Sequence, residues 1–286
     1  MKNIIIHTPG YFDGRHYHNH GPYRLLIRDG IILSIERGAT DTPAGFEGAD
    51  ILEVKFLMPG LVEAHCHLFL DGAEQDFKAR SNYLKVPMAD MMQTARGNVD
   101  ASLAAGITLI RDAGDRFGVN HKIREEFAVK GKGPVIRSPG LALRRPGKYG
   151  AFMAREVSSP EEIHTGLAET ARTADDIKIL LTDIIDFEAG AVTKPPQFDV
   201  NSLKQMVAQA AGYGLKTFVH CSGLDGLKIA VEAGVGSIEH GFFINEAILD
   251  VMAEKEIAWV PTFSPVHFQW TRPELAGWSE KTISNI

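Results

Sequence analysis

Two rhythms of apolar and polar positions divide this chain. Through roughly the first sixty residues the apolar positions come in short runs separated by turn residues: Asn3–His7, Tyr23–Arg28, Ile31–Glu36 and Ile51–Met58. Asp29-Gly30, between the second and third runs, is a hairpin signal, because the favoured two-residue turn needs positive φ at its centre. No helix-length periodic segment interrupts these runs. Residues 1–58 are therefore predicted to form a small β unit, too short to bury much by itself.

From Pro59 onward, short apolar or β-branched runs alternate with segments of helical period. The strand candidates are Leu61–His65, Thr108–Arg111, Pro134–Arg137, Ile177–Leu181, Thr217–His220, Gly236–His240 and Ala258–Thr262. Helix ends are legible between them. Ser159-Pro160-Glu161-Glu162 places a cap, a first-turn proline and a glutamate, and Ser202-Leu-Lys-Gln205 reads as a capping box. Gly212 and Gly214 close the second of these helices, and Gly234 closes a later one. Such alternation predicts a parallel sheet with crossover helices. Seven strands in succession, with no Gly-x-Gly-x-x-Gly turn, favour a (β/α)8 TIM barrel over residues 59–286 rather than an open doubly wound sheet. An eighth apolar strand is missing after Thr262. The barrel is therefore expected to be incomplete, with open edges that favour association between copies.

Composition narrows the class without choosing a chemistry. Of 286 residues, 44% are hydrophobic and 23% charged, an ordinary globular balance. A net charge of −6 does not supply the basic face that nucleic-acid binding requires. Cys66 and Cys221 cannot build a disulfide framework and fit a reducing compartment. Ile4-Ile5-Ile6 is too short for a signal-peptide core, and no run approaches a membrane span. The expectation is a soluble, cytoplasmic protein whose partner is a small molecule.

His65-Cys66-His67 ends the first strand candidate after Pro59. Residues two apart on a strand share a face, so both imidazoles can meet one metal ion while Cys66 turns into packing. Alone, the pair reads equally well as two ordinary strand histidines. His220 and His240 shift the balance, because each ends an apolar run and is followed by loop residues. Strand ends converge on one mouth of a barrel, and imidazole suits zinc and other divalent transition metals.

Lys178 lies inside the apolar run Ile177–Leu181, where a buried ammonium is costly. Either its stem is buried and its head reaches water, or it is a neutral amine that has reacted with carbon dioxide. The resulting carbamate can bridge two metal ions, and the flanking histidines favour it. The long basic loop Gly140–Ala151 carries Arg144, Arg145 and Lys148. It reads equally as solvated surface or as a grip on a substrate carboxylate, since guanidinium offers a planar fork of donors. His267, after the seventh strand, is a weaker candidate for that grip. A rival cluster, His16-Tyr-His18-Asn-His20, falls in a Gly- and Asn-rich stretch where exposed surface histidines are expected. Cys221 is expected in packing.

These pieces resemble the amidohydrolase superfamily, and within it the imidazolonepropionase-like and prolidase-like group. The resemblance rests on Pro59-Gly-Leu-Val-Glu-Ala-His-Cys-His67, Gly106-Ile-Thr-Leu-Ile-Arg-Asp-Ala-Gly114, Asp176-Ile-Lys-Ile179, Val219-His220-Cys221, Ala233-Gly-Val-Gly-Ser-Ile-Glu-His-Gly241 and Val260-Pro-Thr-Phe263. It covers about residues 1 to 265, and the β unit of residues 1–58 looks like that superfamily's small β-sandwich domain, in part. It implies that His65 and His67 bind the more buried of two divalent metals, that carboxylated Lys178 bridges the two, and that His220 and His240 bind the more exposed one. It also implies hydrolysis of an amide bond by a metal-held hydroxide. The group's pattern ends strand eight with an aspartate that binds metal and moves the proton, and no matching Gly-Thr-Asp stretch exists here. The catalytic acid is thus unassigned, and the chain reads as a C-terminally truncated member. Two alternatives stay open. One is a mononuclear deaminase or cyclic-amide hydrolase with Lys178 a plain lysine; the other is a catalytically inactive truncated member.

Overall fold

The structure, a computed structural model, describes residues 2–39, 41–72, 74 and 77–285. The chain separates into two compact units, Met1–Leu61 and Val62–Ile286.

The first unit contains β1 (Asn3–Thr8), β2 (Tyr11–Phe12), β3 (Tyr17–His18), β4 (Tyr23–Arg28), β5 (Ile31–Arg37) and β6 (Asp50–Glu53). Its main sheet runs β5-β4-β1-β6, and β2 pairs with β3 apart from it. Arg28 pairs with Ile31, and Asp29 and Gly30 take φ of 49° and 82°. That is the left-handed two-residue turn that matches strand twist. The core is small, with Ile5, Leu26 and Phe46 buried together, while Ile31, Leu33, Ile35 and Ile51 stay exposed.

The second unit alternates strand and helix. Its strands are β7 (Leu61–Cys66), β8 (Ile107–Asp112), β9 (Val135–Arg137), β10 (Ala142–Arg144), β11 (Ala154–Glu156), β12 (Ile177–Leu180), β13 (Thr217–Cys221), β14 (Ser237–His240) and β15 (Ala258–Val260). Its helices are α1 (Phe77–Tyr83), α2 (Met88–Ala104), α3 (Val119–Lys130), α4 (Pro160–Ala171), α5 (Val200–Gly212), α6 (Leu224–Ala233), α7 (Glu246–Glu254), α8 (Phe263–Thr271), α9 (Pro273–Ala276) and α10 (Glu280–Ser284). All seven strand candidates are strands, displaced by a residue or two at their ends.

The strands form one sheet of order β7-β8-β9 and another of order β11-β10-β12-β13-β14-β15, so among the described residues no single closed ring of ladders exists. Between β9 and β12, one backbone bond, Asp175 N to Ser138 O at 2.9 Å, and side chains link the segments in place of a ladder. Arg137 Nε donates to Asp176 Oδ2 at 2.9 Å, and Ser138 N donates to Asp175 Oδ2 at 2.8 Å. One expectation is corrected: the loop Gly140–Ala151 begins with a strand, β10, which pairs in parallel with β11 and β12. Among the described residues no strand follows β15, which leads instead into α8, α9 and α10. No helix among the described residues is long and apolar enough to cross a membrane.

Local chemistry sets the helix ends. Ser159 caps α4, its side chain accepting from Glu162 N, with Pro160 in the first turn. The expected capping box at Ser202 is corrected: α5 starts earlier, and Asp199 is the cap, accepting from Ser202 N at 2.7 Å. Alternation along the strands then divides the unit. Ile177, Ile179, Val219, Cys221 and Ile238 pack against Leu203, Met206, Leu227 and Ala230 of α5 and α6 in the larger core. Lys178, Phe218, His220 and Glu239 take the opposite parity. Gly226 lets α6 sit close to the strands, since a Cβ there would run into the Thr182 methyl and lie 3.0 Å from Cys221 Sγ. Gly226→Ala should therefore cost about 1–3 kcal/mol through overpacking, read as a lower urea midpoint with an unchanged m-value.

Candidate functional site

Three strands deliver the four histidines. His65 lies on β7 and His67 just beyond it, two positions apart and so on one face. β13 carries His220 and β14 carries His240; across their ladder His220 pairs with Glu239, and Cys221 with His240. The rings meet: His65 and His67 centroids are 5.7 Å apart, His65 and His240 5.0 Å, and His220 and His240 4.5 Å. Alternation alone would point the His240 ring away from Glu239's side. His240 instead takes φ of 70°, a left-handed conformation costly for a residue with a Cβ, which re-aims its ring.

Each imidazole has one nitrogen committed. His67 Nδ1 donates to Gly114 O at 2.9 Å, and His65 Nδ1 to Glu239 Oε2 at 2.6 Å. His240 Nδ1 meets Thr262 Oγ1 at 2.7 Å, and His220 hydrogen-bonds the backbone of Asp183. Burial and the Lys178 charge hold His67 down at about 4 and His220 at about 3. Burial also drives His65 and His240 well below the usual imidazole range. Where Nδ1 must donate, as in His65 and His67, the neutral ring presents a bare Nε2, the form in which histidine binds metal.

Lys178, on β12, is 1% exposed, and its Nζ has no hydrogen-bond partner. It rests 4.7 Å from the centre of the Phe218 ring. Burial pulls the amine down to about 8, partly opposed by Glu239. An orphaned, readily neutral amine beside neutral imidazoles suits a divalent ion together with a group that would make the amine anionic. As the side chains stand, no group of three or more His, Cys, Asp or Glu among the described residues is arranged to hold a metal ion.

The surrounding shell was not foreseen. Glu239 is wholly buried and also accepts from Arg111 Nη2 at 2.8 Å. Tyr149, in the segment between β10 and β11, lies 5.1 Å from the His220 ring, and burial pushes its hydroxyl up to about 12. Phe152 lies 6.0 Å from His67, so this segment supplies an aromatic wall. Asp112 accepts from Leu68 N at 2.9 Å and Gly114 N at 2.7 Å, gripping the chain on both sides of His67's contact. The available signal was a charge inside an apolar run, the reasoning already applied to Lys178: Arg111-Asp112 end the β8 run, and Glu239 sits within the β14 run.

The remaining candidates lie elsewhere. Arg144 is not in a loop: it ends β10, 7% exposed, with its guanidinium on Glu156 at 2.6 Å and on the Lys148 carbonyl. Arg145 donates to Ser158 O at 2.6 Å and stacks 4.9 Å from the Phe198 ring. Carbonyls and a neighbouring carboxylate thus take several of the guanidinium donors, while Arg144 Nε is buried without a partner. His267 is exposed on α8, its ring 6.1 Å from Trp270. In the first unit, His18 stacks 4.3 Å from Tyr11 and meets Asp13 at 2.8 Å, while His16 and His20 are exposed. Cys221 is buried among the core side chains. A cavity of 290 Å³ opens beyond β12 and β13, lined by Thr182, Lys194, Ser222, Asp225 and Phe243 among others.

Residues 56–262 match the amidohydrolase family, to which this chain belongs. An uncharacterized protein of Mycobacterium tuberculosis is 29% identical over 242 residues, covering 84% of this chain and 57% of its own length. Ochratoxinase of Aspergillus niger is 28% identical over 278 residues, covering 85% and 55%. The chain thus spans somewhat over half the length of the curated relatives it matches. Among solved structures, a Xaa-Pro dipeptidase with methionine bound in its active site matches at a TM-score of 0.79 and 24% identity, over 99% of this chain and 73% of that one. The mixed α/β fold with parallel sheets is therefore that of amidohydrolase structures.

The Asp112 grip generates a prediction. Burial, reinforced by Asp115, pushes the Asp112 carboxyl from an ordinary 3.8 up to about 7. Between those values the folded chain holds a proton that the unfolded chain has lost. This contribution is therefore full at low pH and is lost as pH rises through about 7. Asp112→Asn should abolish that fall in stability, measured by urea unfolding across the pH range. An unchanged slope would contradict the assignment.

Proposed function

We propose that this member of the amidohydrolase family is a metal-dependent hydrolase that cleaves an amide bond in a small, carboxylate-bearing molecule. The observation that carries the reading is the convergence of four neutral imidazoles, each with a nitrogen already hydrogen-bonded, on the orphaned amine of Lys178. His65 and His67 would hold one divalent ion, zinc being well suited, and His220 and His240 a second. Lys178 would bridge the two after its amine adds to the carbon of carbon dioxide and releases one proton to solvent. When bound, the ions supply a hydroxide nucleophile near neutral pH and polarise the scissile carbonyl.

The chain's own residues then do three things. Gly114 O, Glu239 and Thr262 hold the rings in orientation. The Tyr149 and Phe152 rings, beside His220 and His67, would keep water from one side of the site. Lys194, ion-paired with Asp183 at 3.3 Å on the wall of the cavity beyond β12 and β13, would be a cation to receive a substrate carboxylate, a part also expected of Arg144 and Arg145. Relatives named for a mycotoxin and for Xaa-Pro dipeptides support testing N-acyl amino acids and dipeptides first.

Elemental analysis of tag-free protein, loaded with zinc in the presence of bicarbonate, tests the reading. About two ions per chain are expected, falling to near zero in a His65→Ala/His240→Ala double variant. Lys178→Ala should lose at least one ion and the dependence on bicarbonate. Full metal content and full hydrolysis in Lys178→Ala would sink the bridge, and one ion indifferent to bicarbonate would favour a mononuclear centre.

A further inference from the structure

Among the groups that hold the imidazoles, one differs in kind. Gly114 offers His67 a neutral carbonyl, and Thr262 offers His240 a hydroxyl. His65 alone of these three meets an anion, Glu239, at 2.6 Å. Glu239 is 0% exposed, and three donors converge on it: His65 Nδ1, Arg111 Nη2 at 2.8 Å and Ser237 Oγ at 2.6 Å. Arg111 is itself pinned, its Nε donating to Ala64 O at 2.8 Å and its guanidinium lying 4.5 Å from the Phe218 ring. Ala64 immediately precedes His65. The brace therefore fixes both the backbone and the ring of one candidate ligand from β8 and β14.

A buried ion pair is a poor device for stability alone. Desolvation of both charges offsets most of their attraction, and apolar replacements of similar volume are often as stable. An ion pair does supply fixed direction and a strong acceptor. A carboxylate on Nδ1–H selects the tautomer whose Nε2 is bare and raises the donor strength of that nitrogen.

We propose that Glu239, held by Arg111, is the positioning residue for His65, fixing its ring and tautomer so that Nε2 is presented to a divalent metal. This rests on the metal-centre reading above. The Arg111–Glu239 brace is built in advance of the ion, so its effect on His65 can be read in the metal-free chain.

The first test is nitrogen-15 imidazole NMR of metal-free wild type, with the His65 signals assigned by their loss in His65→Gln. A protonated Nδ1, a bare Nε2 and a strongly downfield Nδ1 proton are expected, and an Nε2–H tautomer would overturn the proposal. The second is zinc competition against a chromogenic chelator. Glu239→Gln should bind zinc about 10- to 100-fold more weakly. Ser237→Ala, which removes one bond to Glu239 but leaves the His65 contact, should bind like wild type. Glu239→Gln with wild-type affinity, or Ser237→Ala with an equal loss, would reduce Glu239 to a structural residue. If wild type takes up no zinc while its Nδ1–H signal is present, the metal-centre reading fails and the His65–Glu239 contact stands.

Discussion

Imidazoles and a primary amine held out of water must be neutral or paired, and that constraint organises the second unit. Burial removes the charge from His65, His67, His220 and His240, and a polar partner then takes up one nitrogen of each ring. Lys178 is the exception, buried with an unpartnered Nζ. An unsatisfied buried polar atom costs stability, and such atoms cluster where a ligand or a modification completes them. The site is thus a set of neutral donors around one unmet demand.

The scaffold serves that constraint through parity. On β12, β13 and β14, one set of alternate residues joins α5 and α6 in a dense apolar core, which frees the other set to be polar. Where parity gives the wrong direction, the backbone departs from its usual conformations. His240 takes φ of 70°, and Thr262, its hydrogen-bond partner, takes 49°. Two left-handed residues with side chains, in contact with one another at the ends of β14 and β15, mark the place where local preference gives way to site geometry.

Much of this was legible along the chain. The seven apolar runs, the Asp29-Gly30 hairpin and the Ser159 cap are local signals, and local signals survive folding. The strands β10 and β11 were hidden because Arg144 and Arg155 sit within three-residue segments whose burial depends on partners distant in sequence. The same blindness left Arg144 and Arg145 open between surface and substrate, since a guanidinium's partner cannot be read from its neighbours in the chain. Glu239 was visible as a charge inside an apolar strand. Its contact with His65, 174 positions away in sequence, was not. Ring convergence follows from strand order, which a sequence implies only through the fold.

The central claim is that His65, His67, His220 and His240 act as one metal centre. Cobalt(II) titration of the metal-free chain, followed by visible d–d absorption, tests it most directly, because four- and five-coordinate cobalt absorbs far more strongly than the octahedral aqua ion. The account predicts a saturable spectrum that collapses when any of the four is replaced by alanine and survives the His16→Ala/His18→Ala/His20→Ala variant. A spectrum that survives each of the four replacements and vanishes in the triple variant would contradict it.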